Sequence, residues 1–428
     1  MAFEMNEMNK RRQQREARQQ ARLRQEKRTK KRLAIAAGIL VVFGILILSL
    51  SLGKGEDERP SGETEGTTVP ETSIQSEPQG TDAFQPTTVI TFAAAGDLNV
   101  TDQVVASGGT EFDYTSSFMD VLPLLSQADL TGLNFEGNVC GPPYDKDSAP
   151  QQMLDALKAA GVDMLQLANS KSINRGIAGL NATVKNVKAA GMASVGAVSE
   201  EEEPGAYVIR YIRGVKVAVV AFTKGMDGMS MPAGNEEQVN LLYSDYASTY
   251  KKLNEKAITK ILRQVEAEEP DITIALVHWG SEYSDVHSDS QAKIRDLLLK
   301  EGVDAIIGTH PHYVQEMVFD QEAGTFVAYS LGDFFGDATR SGTAYSVILQ
   351  LEITKDNTTG ITKVTDFSYT PIYTVQDDTG MMRVVRLREA IAAYEAGQLG
   401  RVTKETYDNM VYGLSRLELR ISPPAEEQ

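Results

Sequence analysis

Apolar residues are distributed in three ways along the 428-residue chain. From Leu33 to Leu52 they run unbroken as LAIAAGILVVFGILILSLSL, without one charge. About 20 apolar residues rising 1.5 Å each cross a ~30 Å hydrocarbon core, so this run predicts a transmembrane helix. From 53 to 87 large apolar side chains almost vanish in favour of Gly, Glu, Ser, Thr, Pro and Gln. That composition cannot bury enough surface to order itself and predicts a disordered linker. From 88 to 428 short β-rich runs alternate with segments of helical period. VITFAAAGD and ADLTGLNFEG predict strands, MLDALKAAG a helix leading into the strand VDMLQLAN, and GLNATVKNVKAAGMASVGA a helix and then a strand. AYVIRYIRGVKVAVVAFT predicts a hairpin turning at Arg213-Gly214. ITKILRQVEAEEPDITIALVHWG and QAKIRDLLLKEGVDAIIGTHPH each predict helix, turn, strand, and TFVAYSLGDFF, AYSVILQLEIT and ITKVTDFSYTPIYTV read as late antiparallel strands. Residues 384–418 read as helical. Strands alternating with helices, with hairpins added, predict an α/β sheet core.

Charge orients this arrangement. Residues 1–32 hold twelve Lys/Arg against four Glu, a net of +8, so the remaining chain carries −25 of the total −17. KRTKKR immediately precedes the apolar run and GKGEDERP follows it. By the positive-inside rule 1–32 is a cytoplasmic segment, 33–52 a single-pass signal anchor in the cell membrane, and everything beyond is extracellular. The long n-region and the lack of an A-x-A site argue against a cleaved signal peptide. The acidic body excludes nucleic acid as a partner, since phosphate would be repelled. One cysteine, Cys140, excludes a disulfide framework and a Cys-based zinc site.

The polar residues that matter gather at predicted strand ends, where open α/β sheets place functional groups. Asp97 follows VITFAAAG; Asn134 and Glu136 follow ADLTGL; Asn169 follows VDMLQLA; His278 follows ITIALV; His310 and His312 follow VDAIIGT. Any one of these is more often an ordinary cap or turn residue. Five strands ending this way are less easily explained as coincidence. Imidazoles mixed with carboxylate and amide oxygens suit Mn, Fe or Zn. An extended H-P-H at 310–312 would put both rings on one side. Trp279 reads as core packing and Cys140 as a bystander in a turn-rich loop. Asp227 lies in the glycine- and methionine-rich GMDGMSMPAG segment, a loop placed to cover a cleft.

With those residues in view, the stretch from about Thr88 to Asp337 resembles the capsule-synthesis CapA family, the poly-γ-glutamate synthesis accessory proteins, which are similar to calcineurin-like metallophosphoesterases. Six blocks carry the resemblance in order: AAAGDLN (93–99), LNFEG (133–137), LQLANSKSINRGIAGL (165–180), VHWGSEY (277–283), GTHPHYVQ (308–315) and YSLGDFF (329–335). It implies a metallophosphoesterase-like four-layer α/β/β/α sandwich and a role in making or anchoring an acidic envelope polymer. It also implies metal ligands Asp97, Glu136, His278, His310 and His312, supported by Asn134 and Asn169, with His278 also a candidate catalytic residue.

Departures from the family pattern bear on activity. Where the family usually shows A-N-N-H and then D-Y-G, this chain has Ala168, Asn169, Ser170 and Lys171, then Asn174, Arg175 and Gly176. A ligand Asn is thus Ser170, and the His expected to donate a proton is Lys171. Asp333 stands where Asn usually follows YSLG. A protonated lysine repels a divalent ion and cannot ligate one, yet its point charge can hold a phosphate or carboxylate oxygen. Lys171 and Arg175 are therefore candidates for binding an anionic substrate and Lys171 a candidate catalytic group; alternatively Lys171 disables hydrolysis, or reduces a two-metal site to a single-metal one that keeps Asp97, His278, His310 and His312. Three functions follow: a membrane-anchored accessory protein of capsule biosynthesis with a partly degenerate metal site, a surface metal-dependent hydrolase of phosphate or amide bonds, or a non-catalytic anionic-ligand module. One ion, two or none remain open, as do a membrane-bound synthase complex and an anionic polymer or phosphate-containing ligand as partners.

Overall fold

The computed structural model describes residues 85–202, 206–338 and 340–421. The basic segment, the apolar run and nearly all of the linker lie outside the described residues. Among those described, no helix is long and apolar enough to cross a membrane.

Two sheets form the middle of the molecule. The chain enters on β1 (Thr87–Asn99) and passes through the short α1 (Asp102–Ala106), a 3-10 turn (Thr115–Val121) and α2 (Leu122–Ser126) into β2 (Leu130–Glu136). There follow α3 (Gln151–Ala159), β3 (Met164–Gln166), α4 (Gly176–Ala189) and β4 (Ala193–Val195). The chain then builds a second sheet from β5 (Tyr207–Ile212), β6 (Val215–Thr223), α5 (Glu255–Ala267), β7 (Ile272–His278), α6 (Asp289–Lys300), β8 (Ala305–Thr309), β9 (Met317–Asp320) and β10 (Thr325–Ala328). It returns through β11 (Asp333–Phe335), β12 (Tyr345–Asp356), β13 (Thr362–Gln376) and β14 (Met382–Arg386), and ends in α7 (Leu387–Glu395) and α8 (Lys404–Ile421). The first sheet runs β14-β13-β12-β1-β2-β3-β4, with β11 also paired to β1; the second runs β5-β6-β7-β8-β10-β9.

Strand parity sets the layers, because successive side chains point to opposite faces. From β1, Ile90, Phe92 and Ala94 face the other sheet; they meet Val215, Val217 and Val219 of β6 and Ile272, Ile274 and Leu276 of β7 in one inner core. The alternate residues of β6 and β7, among them Val220, Phe222 and Val277, face α5 and α6 through Ile258, Leu262, Ile294 and Leu298. On the far side of the first sheet, α3 and α4 bury Met153, Leu154, Leu157, Leu180 and Val184. The order is helices, sheet, sheet, helices, and β2, β6, β7 and β8 are buried along their whole length. Continuous apolar runs of this kind belong to strands covered on both faces.

Local sequence explains the connections. Arg213 (φ 48°) and Gly214 (φ 83°) make the expected tight hairpin turn, both residues left-handed as a primed turn requires. Ser288 caps α6 in a reciprocal box with Gln291.

Three expectations need correction. TFVAYSLGDFF does not make late antiparallel strands of one sheet. Its first half, β10, runs parallel to β8 in the second sheet, and its end, β11, runs parallel to β1 in the first. Gly332, left-handed at φ 77°, lets the chain cross between sheets, and its carbonyl accepts the Asp97 N–H at 2.9 Å. Residues 384–386 belong to β14 rather than to a helix; Val384 and Val385 pair with Thr374 and Tyr373, as β-branched residues on a half-covered sheet favour. The H-P-H segment is not extended: His310 (φ 90°) and His312 (φ 58°) are both left-handed. The chain turns there to close on Asp97 and Asp333.

Candidate metal centre

The carboxyl ends of β1, β2, β7 and β8 converge, because both sheets are parallel at their centres. Asp97 is completely buried at the end of β1. Its Oδ1 accepts from Asn134 Nδ2 at 2.7 Å, and its Oδ2 from the His310 backbone N–H at 3.1 Å. Asn134 and Glu136, two apart on β2, present side chains to the same face. Asn134 Nδ2 also donates to Glu136 Oε1 at 3.0 Å. Asn169, just past β3, locks Asn134 from behind, with Nδ2 donating to Asn134 Oδ1 at 3.0 Å and to the Phe135 carbonyl at 2.7 Å.

The imidazoles close the other side. His278 ends β7; its Nε2 lies 3.1 Å from the Ser170 backbone N–H and its Nδ1 3.5 Å from Glu136 Oε1. Ring centroids of His278 and His310 are 4.4 Å apart. His312 Nδ1 meets Asp333 Oδ1 at 2.7 Å and lies 3.6 Å from Asp97 Oδ2. Tyr283 stacks on His312 from outside. Gln315, fully buried, ties the 284–286 loop to α6 by donating to the carbonyls of Ser284 and Val286 and accepting from Gln291.

Of the residues singled out in the sequence, Asp97, Asn134, Glu136, Asn169, His278, His310 and His312 come together. Lys171 lies at the edge of the cluster with its ammonium turned to Asn99 Oδ1 (2.7 Å) and the Val100 carbonyl (2.6 Å). Arg175 is not brought in; its guanidinium pairs with Asp145 at 2.5 Å. Asp227 reaches the site, lining a cavity of about 260 Å³ with Ser170, Lys224, Tyr250, Glu282 and His310. Asp333 and Lys224 are additions. Asp333 stood out in the sequence as a departure from the family pattern without being given a ligand's place. Lys224 follows β6 directly, so the strand-end signal that marked His278 marks it too; its Nζ sits 3.2 Å from His310 Nε2 and donates to the Gly280 carbonyl.

Electrostatics make this site costly without a counter-ion. Asp97, Glu136 and Asp333 are three buried carboxylates, and removing a charge from water costs several kcal/mol unless it is compensated. Burial, reinforced by Glu136 and Asp333, pushes the Asp97 carboxyl well above the ordinary carboxylate range. Burial raises Glu136 and Asp333 as well. Burial lowers His278 and His310 far below the usual imidazole value, helped by neighbouring cations. For His312 burial also acts downward, but Asp333, Glu136 and Asp97 outweigh it and hold the ring well above 6.5.

A divalent ion fits these donors. Oxygen and nitrogen atoms of Asp97, Glu136 and His278, of Asp97, His312 and Asp333, and of Glu282, His310 and His312 form groups whose members lie within 4.8 Å of one another. His310 Nδ1 is buried with no hydrogen-bond partner, while its Nε2 faces the Lys224 ammonium. A set of carboxylates and imidazoles suits Mn, Fe or Zn rather than Mg or Ca.

Uptake of an ion should release protons, since Asp97 and His312 both hold theirs to higher pH than free side chains do. Affinity should therefore climb as pH rises from about 6 to 8. Calorimetric titration in buffers of different ionisation enthalpy would register the release, and a flat affinity across that range would contradict it.

The sequence pattern of the bacterial capsule synthesis protein PGA_cap family matches residues 91–338, more than half of the chain. The chain belongs to that family. Its relatives include the capsule biosynthesis protein CapA of Bacillus anthracis, 28% identical over 287 residues that cover 64% of this chain and 66% of the relative. The PGA biosynthesis protein CapA of Bacillus subtilis (strain 168) is 25% identical over 287 residues, covering 63% of this chain and 70% of that protein. The match to the first relative thus spans just under two thirds of its length. Among solved structures, the calcineurin-like phosphoesterase YfkN of Bacillus subtilis superposes with a TM-score of 0.41 at 18% identity, over 78% of this chain and 98% of that one.

Proposed function

We propose that this PGA_cap-family chain is a membrane-anchored accessory protein of capsule polymer biosynthesis, in the poly-γ-glutamate class. In this reading it works outside the cell through a partly degenerate metal centre. The observation that carries the proposal is the coincidence of the family match with the buried cluster of Asp97, Glu136, Asp333, His310 and His312. Residues 33–52 would hold the chain in the membrane, 1–32 would stay in the cytoplasm, and the linker would carry the folded part to a membrane-bound polymer synthase. An anionic polymer or a phosphate-containing group is the ligand that suits the cavity cation Lys224.

Asp97, Asp333 and His312 would hold the ion, with Glu136 and His310 beside it. A bound divalent ion supplies Lewis-acid polarisation of an acyl or phosphoryl oxygen. The chain's own residues do the rest. Asn134, itself held by Asn169, fixes the carboxylates, and Lys224 offers a positive charge at the cavity wall.

A strain lacking this chain, complemented with the full protein, with a version beginning at residue 53, or with Asp97→Ala, tests the reading. Only the full protein should restore cell-bound polymer. Restoration by the anchorless version would remove the membrane from the account, and restoration by Asp97→Ala would remove the metal centre. Retention of three imidazoles and three carboxylates beside a cavity favours a second reading, a surface metal-dependent hydrolase. Metal-loaded protein turning over phosphoester or amide substrates, with turnover lost in Asp97→Ala, would establish it.

A further inference from the structure

We infer that this centre takes one divalent ion, at Asp97, Asp333 and His312, and that the Lys171 ammonium serves as its second cation. The inference rests on the metal-centre reading above and concerns how many ions that centre holds.

The backbone turn at 169–172 carries the first part of the argument. The Ser170 N–H can only donate, so at 3.1 Å it occupies the lone pair of His278 Nε2. The neutral ring then carries its proton on Nδ1, which faces Glu136 Oε1 at 3.5 Å and Thr309 Oγ1 at 3.4 Å; Asn134 Nδ2 also lies 3.4 Å away, but both of its hydrogens are directed to Asp97 Oδ1 and Glu136 Oε1. Neither nitrogen of His278 has electrons left for a metal. The group formed by Asp97, Glu136 and His278 therefore loses its imidazole.

The second part is Lys171 itself. Its Nζ has three neutral acceptors, Asn99 Oδ1 at 2.7 Å, the Val100 carbonyl at 2.6 Å and the Lys146 carbonyl at 3.4 Å. Three acceptors use all three N–H bonds of an ammonium and fix its place. From there its positive charge acts on both Glu136 and Asp333. The three buried carboxylates are balanced by one divalent ion together with this lysine. A second divalent ion would add two positive charges beside the Lys171 ammonium in a low-dielectric setting.

The remaining group, Glu282, His310 and His312, cannot make up a second position. With His312 given to the first ion, only Glu282 and His310 remain, fewer than the three protein ligands a metal site usually has. The Lys224 ammonium also faces His310 Nε2 at 3.2 Å and repels a cation there.

Full-length protein, stripped of metal and titrated with Mn²⁺, should bind one ion per chain. Lys171→Gln keeps a hydrogen-bond donor but removes the repelling charge. It should still bind one ion, about tenfold more tightly or better. Two ions per wild-type chain would overturn the inference and leave the metal centre standing, whereas none would overturn both. Equal or weaker affinity in Lys171→Gln would remove the lysine from its role. Should that variant fail to fold, anomalous scattering from Mn²⁺-soaked wild-type crystals decides. One peak touching Asp97, Asp333 and His312, with His278 still on Ser170, is expected; a second peak on His278 would overturn the inference.

Discussion

Asp97→Asn should weaken divalent-metal binding by more than 100-fold while raising the melting temperature of the metal-free protein. Losing a group that merely supports a ligand costs roughly 10- to 100-fold in metal affinity, and Asp97 belongs to two of the three ligand groups. Stability moves the other way. The folded-state value of Asp97 lies above its ordinary 3.8, so its stabilising contribution is complete below that pH and is lost as pH rises through the folded value. At neutral pH the buried carboxylate is a net cost to the apo fold. Asparagine keeps an oxygen to accept from Asn134 Nδ2 and gives up the bond that the other oxygen takes from the His310 N–H, while the charge that crowds Glu136 and Asp333 is gone. His312 stays paired with Asp333, so removing one of the three crowded carboxylate charges relieves part of a desolvation cost of several kcal/mol per ion. Apo melting curves near pH 7.5 and near pH 4.5 read this directly (about three pH units apart, spanning the window named). The gain should be large at the higher pH and shrink at the lower one. A variant less stable than wild type at both would show that Asp97 is compensated without metal.

The second large effect is mechanical. A methyl group at Gly96 would lie 1.8 Å from the Gly332 carbonyl oxygen and 2.9 Å from its carbon. Both atoms are backbone and cannot swing aside. The same contact seats Asp97, whose N–H donates to that carbonyl. Gly96→Ala should therefore cost more than about 4 kcal/mol, beyond the usual range for a point change. Gly109→Ala is the matched control: its added methyl meets nothing within 4 Å, and only its left-handed φ of 64° is strained, a cost of about 1–2 kcal/mol. Soluble yield and thermal unfolding of the two variants should differ sharply. Equal behaviour would mean that β1 and the 330–332 crossover are not held against each other as described.

Much of this arrangement was legible in the sequence, for a physical reason. Buried parallel strands are written as unbroken apolar runs, and the residue after such a run stands at the sheet's carboxyl edge. That placed Asp97, Glu136, His278 and His310 before any contact was visible. What the pattern could not carry was tertiary. Asp97 accepts the N–H of a residue 213 positions away, and no local period encodes that pairing. The three-residue strand at Asp333–Phe335 is too short to show alternation, so Asp333 registered as a departure from a family pattern rather than as the partner of His312. The left-handed backbone at His310 and His312 is invisible to propensity, because neither residue type demands it. The sequence alone leaves Lys171 a candidate for holding an anionic substrate; its three acceptors at Asn99, Val100 and Lys146 are brought to it only by the fold.

The most direct test of the central claim is the metal content of the purified full-length protein and a small set of variants after exposure to Mn²⁺ and removal of excess. Wild type and Arg175→Ala should retain the ion in fixed stoichiometry, while His312→Ala and Asp97→Ala should retain essentially none. A wild-type chain that stays empty, or a His312→Ala chain that binds as well as wild type, would mean that these buried acids and imidazoles are not a metal centre.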